Sequence, residues 1–220
     1  MEPDLTIDTL VLGPLETNTY VVRCEKDCWV IDPASMDGGR LVRFLQEIAA
    51  SPSRVLLTHG HADHIAGAGE LRKAFGSCRL GCPQADAAML TDPAANMSAA
   101  FGVPFVVGPA DDVFAPGHVL ACGETQWAVL DTSGHTPGGV SFYCRQAKVV
   151  FTGDALFAGS IGRTDIPGGS VGRLIKNIRL SLMSLDGDTR VLSGHGPEST
   201  IGQERRLNPF LKDFYKTKSR

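Results

Sequence analysis

Apolar positions along this chain come mostly in short runs, with helical spacing in three places. LTIDTLVL, NTYVVR and CWVID open the sequence, and their length and β-branched and aromatic content predict three strands. Leu41, Phe44, Leu45 and Ile48 share one face at helical spacing, which predicts an amphipathic helix from about Asp37 to Ala49. A strand RVLLT follows. Ile65, Ala68, Leu71 and Phe75 then predict a helix that starts close to Asp63, and RLGC reads as the next strand. From Thr91 to Gly117 the chain is rich in Pro, Gly, Ala and Asp and reads as a meandering surface loop. HVLAC, TQWAVLDT, GVSFYC and KVVFT predict strands, VGRLIKNIRLSLMSL a helix and TRVLSG a last strand. Strands in two groups, each adjoined by helices, suggest two sheets packed face to face with helices outside. No repeat, low-complexity segment or linker interrupts the pattern, so residues 1–220 are expected to form one domain.

Composition narrows the functional classes. A 220-residue chain that is 43% hydrophobic and 20% charged can bury a substantial core. Its net charge of −3 and pI near 6.1 offer no field for a phosphate backbone, so nucleic acid is not an expected partner. The acidic start MEPDLTIDTL does not read as a signal peptide, and no apolar run approaches the roughly 20 residues that span a bilayer. A cytoplasmic location without membrane contact is expected. Six cysteines are too sparse for a disulfide framework. Cys24 with Cys28 and Cys78 with Cys82 have knuckle-like spacing, but they flank a hairpin turn and end a short strand, so buried thiols are expected.

The candidate chemistry is concentrated at strand ends. His59, His61, Asp63 and His64 fall within six consecutive positions of THGHADHIAG. On an extended segment residues two apart point the same way, so His59 and His61 can reach one metal ion, while the turn into a helix re-aims Asp63 and His64 at a second point. Clustered imidazoles repel and lose hydration, costs that a cation offsets. Three more polar residues follow strands, each preceded by glycine: His135 in SGHTPGG, Asp154 in FTGDALF and His195 in SGHGPES. His118, in APGHVLA, reads as an ordinary surface residue.

HGHADH, GHTPGG, GDALF and GHGP, in this order, resemble the metallo-β-lactamase superfamily, and the likeness runs from about Leu5 to Leu211. NTYVV, FAGSIGRTDIPGG and GHGPESTIGQERRLNPFL are most similar to its glyoxalase II (hydroxyacylglutathione hydrolase) branch, in the short bacterial form. The resemblance implies an α/β fold, the four-layer αββα sandwich, with a two-metal site. It implies that His59, His61 and His135 bind one ion, Asp63, His64 and His195 the other, and that Asp154 bridges them, with Asp63 and Asp154 the catalytic carboxylates. It also implies Asp32, in VIDPAS, as an acceptor that orients a ligand histidine, and Arg163, in GSIGRTD, as a contact for the substrate's carboxylate end, with pairing to Asp165 as the competing role for that arginine. Donors without thiolate suit zinc, iron or manganese; two divalent ions, zinc first among them, are expected. The activity implied is hydrolysis of a small-molecule thioester, S-2-hydroxyacylglutathione such as S-D-lactoylglutathione. A persulfide dioxygenase with one iron at the positions of His59, His135 and Asp154, and a nuclease of the same superfamily, are the alternatives. Only 25 residues follow His195, too few for the helical domain with which long glyoxalase II proteins hold glutathione, so a thin grip on glutathione is expected.

Overall fold

Alternation along the strands assigns their side chains to different cores, and this sets the number of layers. The computed structural model describes residues 4–34 and 39–212. β1 (Leu5–Leu12), β2 (Thr17–Cys24), β3 (Asp27–Ile31), β4 (Arg54–Leu56), β5 (Arg79–Pro83) and β6 (Asp112–Phe114) form one sheet in that order. Its first three strands are antiparallel, and β3 to β6 run parallel. Parallel neighbours need crossovers. α1 (Arg40–Glu47) carries the chain from β3 to β4, and α2 (Ala62–Ile65) and α3 (Ala68–Ala74) carry it from β4 to β5.

The second sheet has the order β14-β13-β10-β9-β8-β7, from β7 (Val119–Cys122), β8 (Thr125–Asp131), β9 (Val140–Cys144), β10 (Val149–Gly153), β13 (Arg190–Ser193) and β14 (Ser199–Thr200). A two-stranded hairpin, β11 (Leu156–Phe157) with β12 (Ser160–Ile161), lies between β10 and α4 (Val171–Asn177) in sequence. α4 continues as a π-helical stretch over Ile178–Leu182, and α5 (Ile201–Leu207) follows β14.

Three apolar clusters separate four layers. Tyr20, Val22, Trp29, Ile31, Trp127 and Phe151 meet between the sheets. Val21 and Val30, one residue out of phase, face Leu41, Leu45 and Leu71 of α1 and α3. Val150 faces Leu174 and Ile178 on the other side. The architecture is therefore the four-layer αββα sandwich that the motifs imply.

Several local expectations differ from the structure. The helix over 63–75 is broken, because Gly67 N–H donates to Pro33 O at 2.7 Å and α3 starts afresh there. The segment 91–117 is not only surface loop: Asn96 and Ser98 are buried, Phe105 packs on the helix-side core, and β6 pairs with β5. A three-residue edge strand is too short to carry a periodic signal. The same holds for β11, β12 and β14, and α5 was not anticipated either. The proposed helix start at Asp37 lies outside the described residues. All six cysteines are buried and unbridged.

Trp127 is fully buried, stacked on Phe151 at 5.4 Å and facing Trp29 at 6.3 Å across the sheets. Trp127→Ala should cost about 3–5 kcal/mol in urea unfolding, whereas Val113→Ala on the exposed side of β6 should stay within about 0.5 kcal/mol. Equal midpoints for the two variants would contradict this placement of the inter-sheet core.

Candidate metal centre

The C-terminal ends of β4, β8, β10 and β13 open on one edge of the sandwich, and each delivers polar residues there. Past β4, Thr58 seals the two sheets: its carbonyl accepts Val140 N–H at 2.9 Å, and its side chain fills the space left by Gly153. His59 and His61 follow, both buried, and α2 then carries Asp63 and His64. His135 lies beyond β8, Asp154 beyond β10 and His195 beyond β13. At β13 the seam is closed by Asn18, whose amide donates to Ser193 O and Gly196 O at 3.0 and 2.9 Å.

These seven residues come together in two groups. In the inner one, His59, His61 and His135 offer ring nitrogens that all lie within 4.8 Å of one another, with His61 Nδ1 and His135 Nε2 at 2.9 Å. In the outer one, Asp63 Oδ2 is 3.3 Å from His64 Nε2 and 3.2 Å from His195 Nε2. Asp154 stands between them: Oδ1 is 3.3 Å from His64 Nε2, and Oδ2 is 3.6 Å from both His135 Nε2 and His195 Nε2. The inner histidines are 2 to 7% exposed, whereas the side chains of Asp63 and His195 are 18% and 27% exposed.

The donors are aimed by the protein. Four of the five rings spend Nδ1 on an oxygen and turn Nε2 inward: His59 on Thr58 Oγ1 at 3.1 Å, His64 on Asp32 Oδ2 at 3.0 Å, His135 on Arg163 O at 2.7 Å and His195 on Leu15 O at 3.0 Å. Asp32 itself sits at φ 50°, a left-handed conformation that aspartate tolerates. Its carboxylate accepts Thr58 N–H at 2.7 Å and Thr58 Oγ1–H at 2.6 Å, so its oxygens are committed to positioning rather than free to coordinate. Gly194 is required here, since a Cβ would meet His64 Cε1 at 2.6 Å and Asp154 Oδ1 more closely still.

A cation fits this donor set. His59 Nε2, His64 Nε2 and Asp154 Oδ1 are buried and have no hydrogen-bond partner in the protein, an arrangement that costs stability unless something charged completes it. Burial and the neighbouring imidazoles push His59 down, and burial with His135 and His64 pushes His61 down to about 3, so both are neutral and able to coordinate. Burial opposes charge on His64, but Asp63, Asp154 and Asp32 outweigh it and raise its pKa well above 6.5. Burial likewise opposes charge on Asp63 and Asp154, and His64 leads the groups that nevertheless lower both.

Sequence reasoning missed Asp86. Fully buried in the 3₁₀ helix Gln84–Thr91, it accepts Gly138 N–H at 2.6 Å, Thr136 Oγ1–H at 2.7 Å and Gly60 N–H at 3.2 Å. It thus ties the loop bearing His59 and His61 to the loop bearing His135. A solitary acid in QADAAML carries no local signal of this. Arg163 lies beside His135 through its carbonyl, but its guanidinium is exposed and makes a two-pronged pair with Asp165 at 2.8 and 2.9 Å. His118 is exposed immediately before edge strand β7, and its carbonyl accepts Val129 N–H at 2.9 Å.

Known proteins resemble this chain along most of its length. The family model described as Metallo-beta-lactamase superfamily matches residues 12–195. The chain is 38% identical to hydroxyacylglutathione hydrolase GloC of Haemophilus influenzae, over 85% of this chain and 88% of that one. It is 36% identical to the probable metallo-hydrolase YqgX of Bacillus subtilis, over 92% and 96% respectively. Among solved structures it resembles the B3 metallo-beta-lactamase BLEG-1 (TM-score 0.89, 38% identity, 94% of this chain and 100% of that one) and TTHA1623 in a di-iron-bound form (TM-score 0.83, 34% identity, 93% and 100%). ETHE1 from Myxococcus xanthus, at 24% identity and TM-score 0.76 over 98% and 92%, shares the fold. Divalent metal binding is expected of this fold. No helix among the described residues is long and apolar enough to cross a membrane.

Because Asp63, Asp154 and Asp32 favour a proton on His64 in the metal-free protein and only a neutral imidazole coordinates, metal uptake should displace that proton. Adding zinc to metal-free protein at pH 7 in weak buffer should release about one to two protons per chain, and affinity should rise with pH. Uptake without proton release would contradict the charged state assigned to His64.

Proposed function

The chain belongs to the metallo-β-lactamase superfamily, and we propose that this metal-dependent hydrolase cleaves a thioester, S-2-hydroxyacylglutathione of the S-D-lactoylglutathione kind. The observation that carries the reading is the pair of donor groups meeting at Asp154. A mononuclear dioxygenase would use His59, His135 and Asp154 and leave the convergence of Asp63, His64 and His195 without purpose. The similarity to GloC favours the glutathione thioester.

In this reading His59, His61 and His135 would hold one ion, Asp63, His64 and His195 the second, and Asp154 would serve both. When bound, such ions would lower the pKa of water and polarise a carbonyl. The chain's own groups set the frame in which this works. Asp32 fixes the tautomer and direction of His64, and the carbonyl of Arg163 does the same for His135. Asp63 accepts the Thr17 hydroxyl at 2.9 Å, which holds its ionised carboxylate against the outer group as a hydrogen-bond acceptor that can orient the attacking water. In the net reaction the C–S bond breaks with its electron pair going to sulfur, and a C–O bond replaces it. No serine or cysteine nucleophile is needed.

Asp154→Ala should lose most bound metal at both positions together with hydrolysis, because the charge that separates the two cations is gone. Metal analysis paired with a thioester assay checks this; full metal content and turnover would refute the bridging role. Sulfite formation from glutathione persulfide without thioester hydrolysis would instead assign the dioxygenase activity. Arg163→Ala should raise KM for lactoylglutathione more than it lowers kcat, since an exposed ion pair with Asp165 contributes at most about 1 kcal/mol to stability. A loss of thermal stability with unchanged kinetics would leave Arg163 a purely structural partner of Asp165.

A further inference from the structure

Beside the outer donor group the surface opens into a cavity of about 290 Å³ that the glutathione reading does not use. Its walls come from three places. Leu15 projects from the turn between β1 and β2, Phe101, Val103 and Phe105 from the loop before β6, and Ala62 and Ala66 from the HADHIAG stretch. The two alanines leave space where larger side chains would fill it. Leu15, Phe101 and Val103 are 45 to 59% exposed, an unusual concentration of uncovered apolar surface around one depression.

The cavity is continuous with the site. Asp63 and Thr17 line it as well as the metal centre, and Leu15 O is the atom that orients His195. Its far wall is fastened in place: Asn96 O accepts Ala62 N–H at 2.8 Å, Asn96 Nδ2 donates to Phe105 O at 3.1 Å, and Ser98 Oγ accepts Phe105 N–H at 3.1 Å. The pocket is therefore preformed, and filling it incurs little ordering cost.

We propose that this cavity is an acyl pocket, which takes the unbranched apolar chain of a medium-length acyl thioester while the thiol moiety leaves across the site toward Arg163. The inference rests on the thioesterase reading and adds to it a substrate class. Charge decides which end of the substrate enters. Among the described residues no cation lines the cavity, and its one ionisable neighbour is the acidic Asp63, so the carboxylates of glutathione are repelled from it. On the His135 side, Arg163, whose carbonyl holds that ring, carries an exposed guanidinium. Size agrees: a depression of about 290 Å³ has room for a chain of several methylenes, more than a lactoyl group fills. Hydrolysis itself is unchanged: water's oxygen bonds to the acyl carbon, sulfur departs with the C–S electron pair and takes one of water's protons, the other goes to solvent, and the products are a fatty acid anion and a thiol.

The test uses the metal-loaded protein and a series of N-acetylcysteamine thioesters from acetyl to octanoyl, with S-D-lactoylglutathione alongside. kcat/KM should rise roughly threefold per methylene and level off near eight carbons. Phe101→Asp should reduce the octanoyl-to-acetyl ratio at least tenfold, and Phe101→Leu should restore most of it. Hydrolysis of lactoylglutathione with a flat or falling chain-length profile would overturn the acyl pocket and leave the thioesterase reading standing. Hydrolysis of none of these substrates would overturn the thioesterase reading. In that event calorimetry with the non-hydrolysable octyl and methyl thioethers of N-acetylcysteamine judges the cavity alone. Octyl binding that is tighter, has a negative heat-capacity change and is lost in Phe101→Asp supports it as an apolar ligand site, and equal affinities overturn it.

Discussion

Everything at the open edge of this sandwich depends on keeping five imidazoles and two carboxylates closer together than they would remain in solution. Like charges on the rings would drive the loops apart, and neutral rings still leave buried nitrogens unpaired. The protein resolves this by giving each loop a covering hydrogen bond from behind. Asp32 holds Thr58 and His64, Asp86 joins two loops from opposite sheets, and Asn18 clasps the end of β13. The inter-sheet core, with Trp29, Trp127 and Phe151, fixes the distance over which these contacts must reach.

Much of this was legible in the sequence because the relevant signals are local. Short apolar runs such as NTYVVR and CWVID marked strands, and HGHADH, GHTPGG, GDALF and GHGP placed donors just after strands. What stayed illegible is what is held together only by the fold. Asp86 is one acid in an alanine-rich stretch, and its importance comes from Gly60, Thr136 and Gly138, which lie far from it in sequence. The break at Gly67 depends on a carbonyl at Pro33, and β6 exists because β5 offers an open edge. The apolar cavity likewise needs residues near 15, 62 and 101 to meet, and no window of sequence contains them.

Substrate preference and metal chemistry are also separated by element. The donors sit on strand ends and on α2, rigid parts of the scaffold, whereas Leu15, Phe101 and Arg163 sit on turns and loops that can vary without disturbing them. The same arrangement of donors can thus stand beside different loops, and the similar proteins carry different hydrolase names.

The unequal burial of the two donor groups imposes an order on traffic through the site. The inner histidines are enclosed, while Asp63 and His195 reach the surface beside the cavity mouth. If both donor groups hold ions as proposed, the outer pair is the side on which a cation from solvent would arrive, and whatever fills the neighbouring cavity would stand beside that entrance.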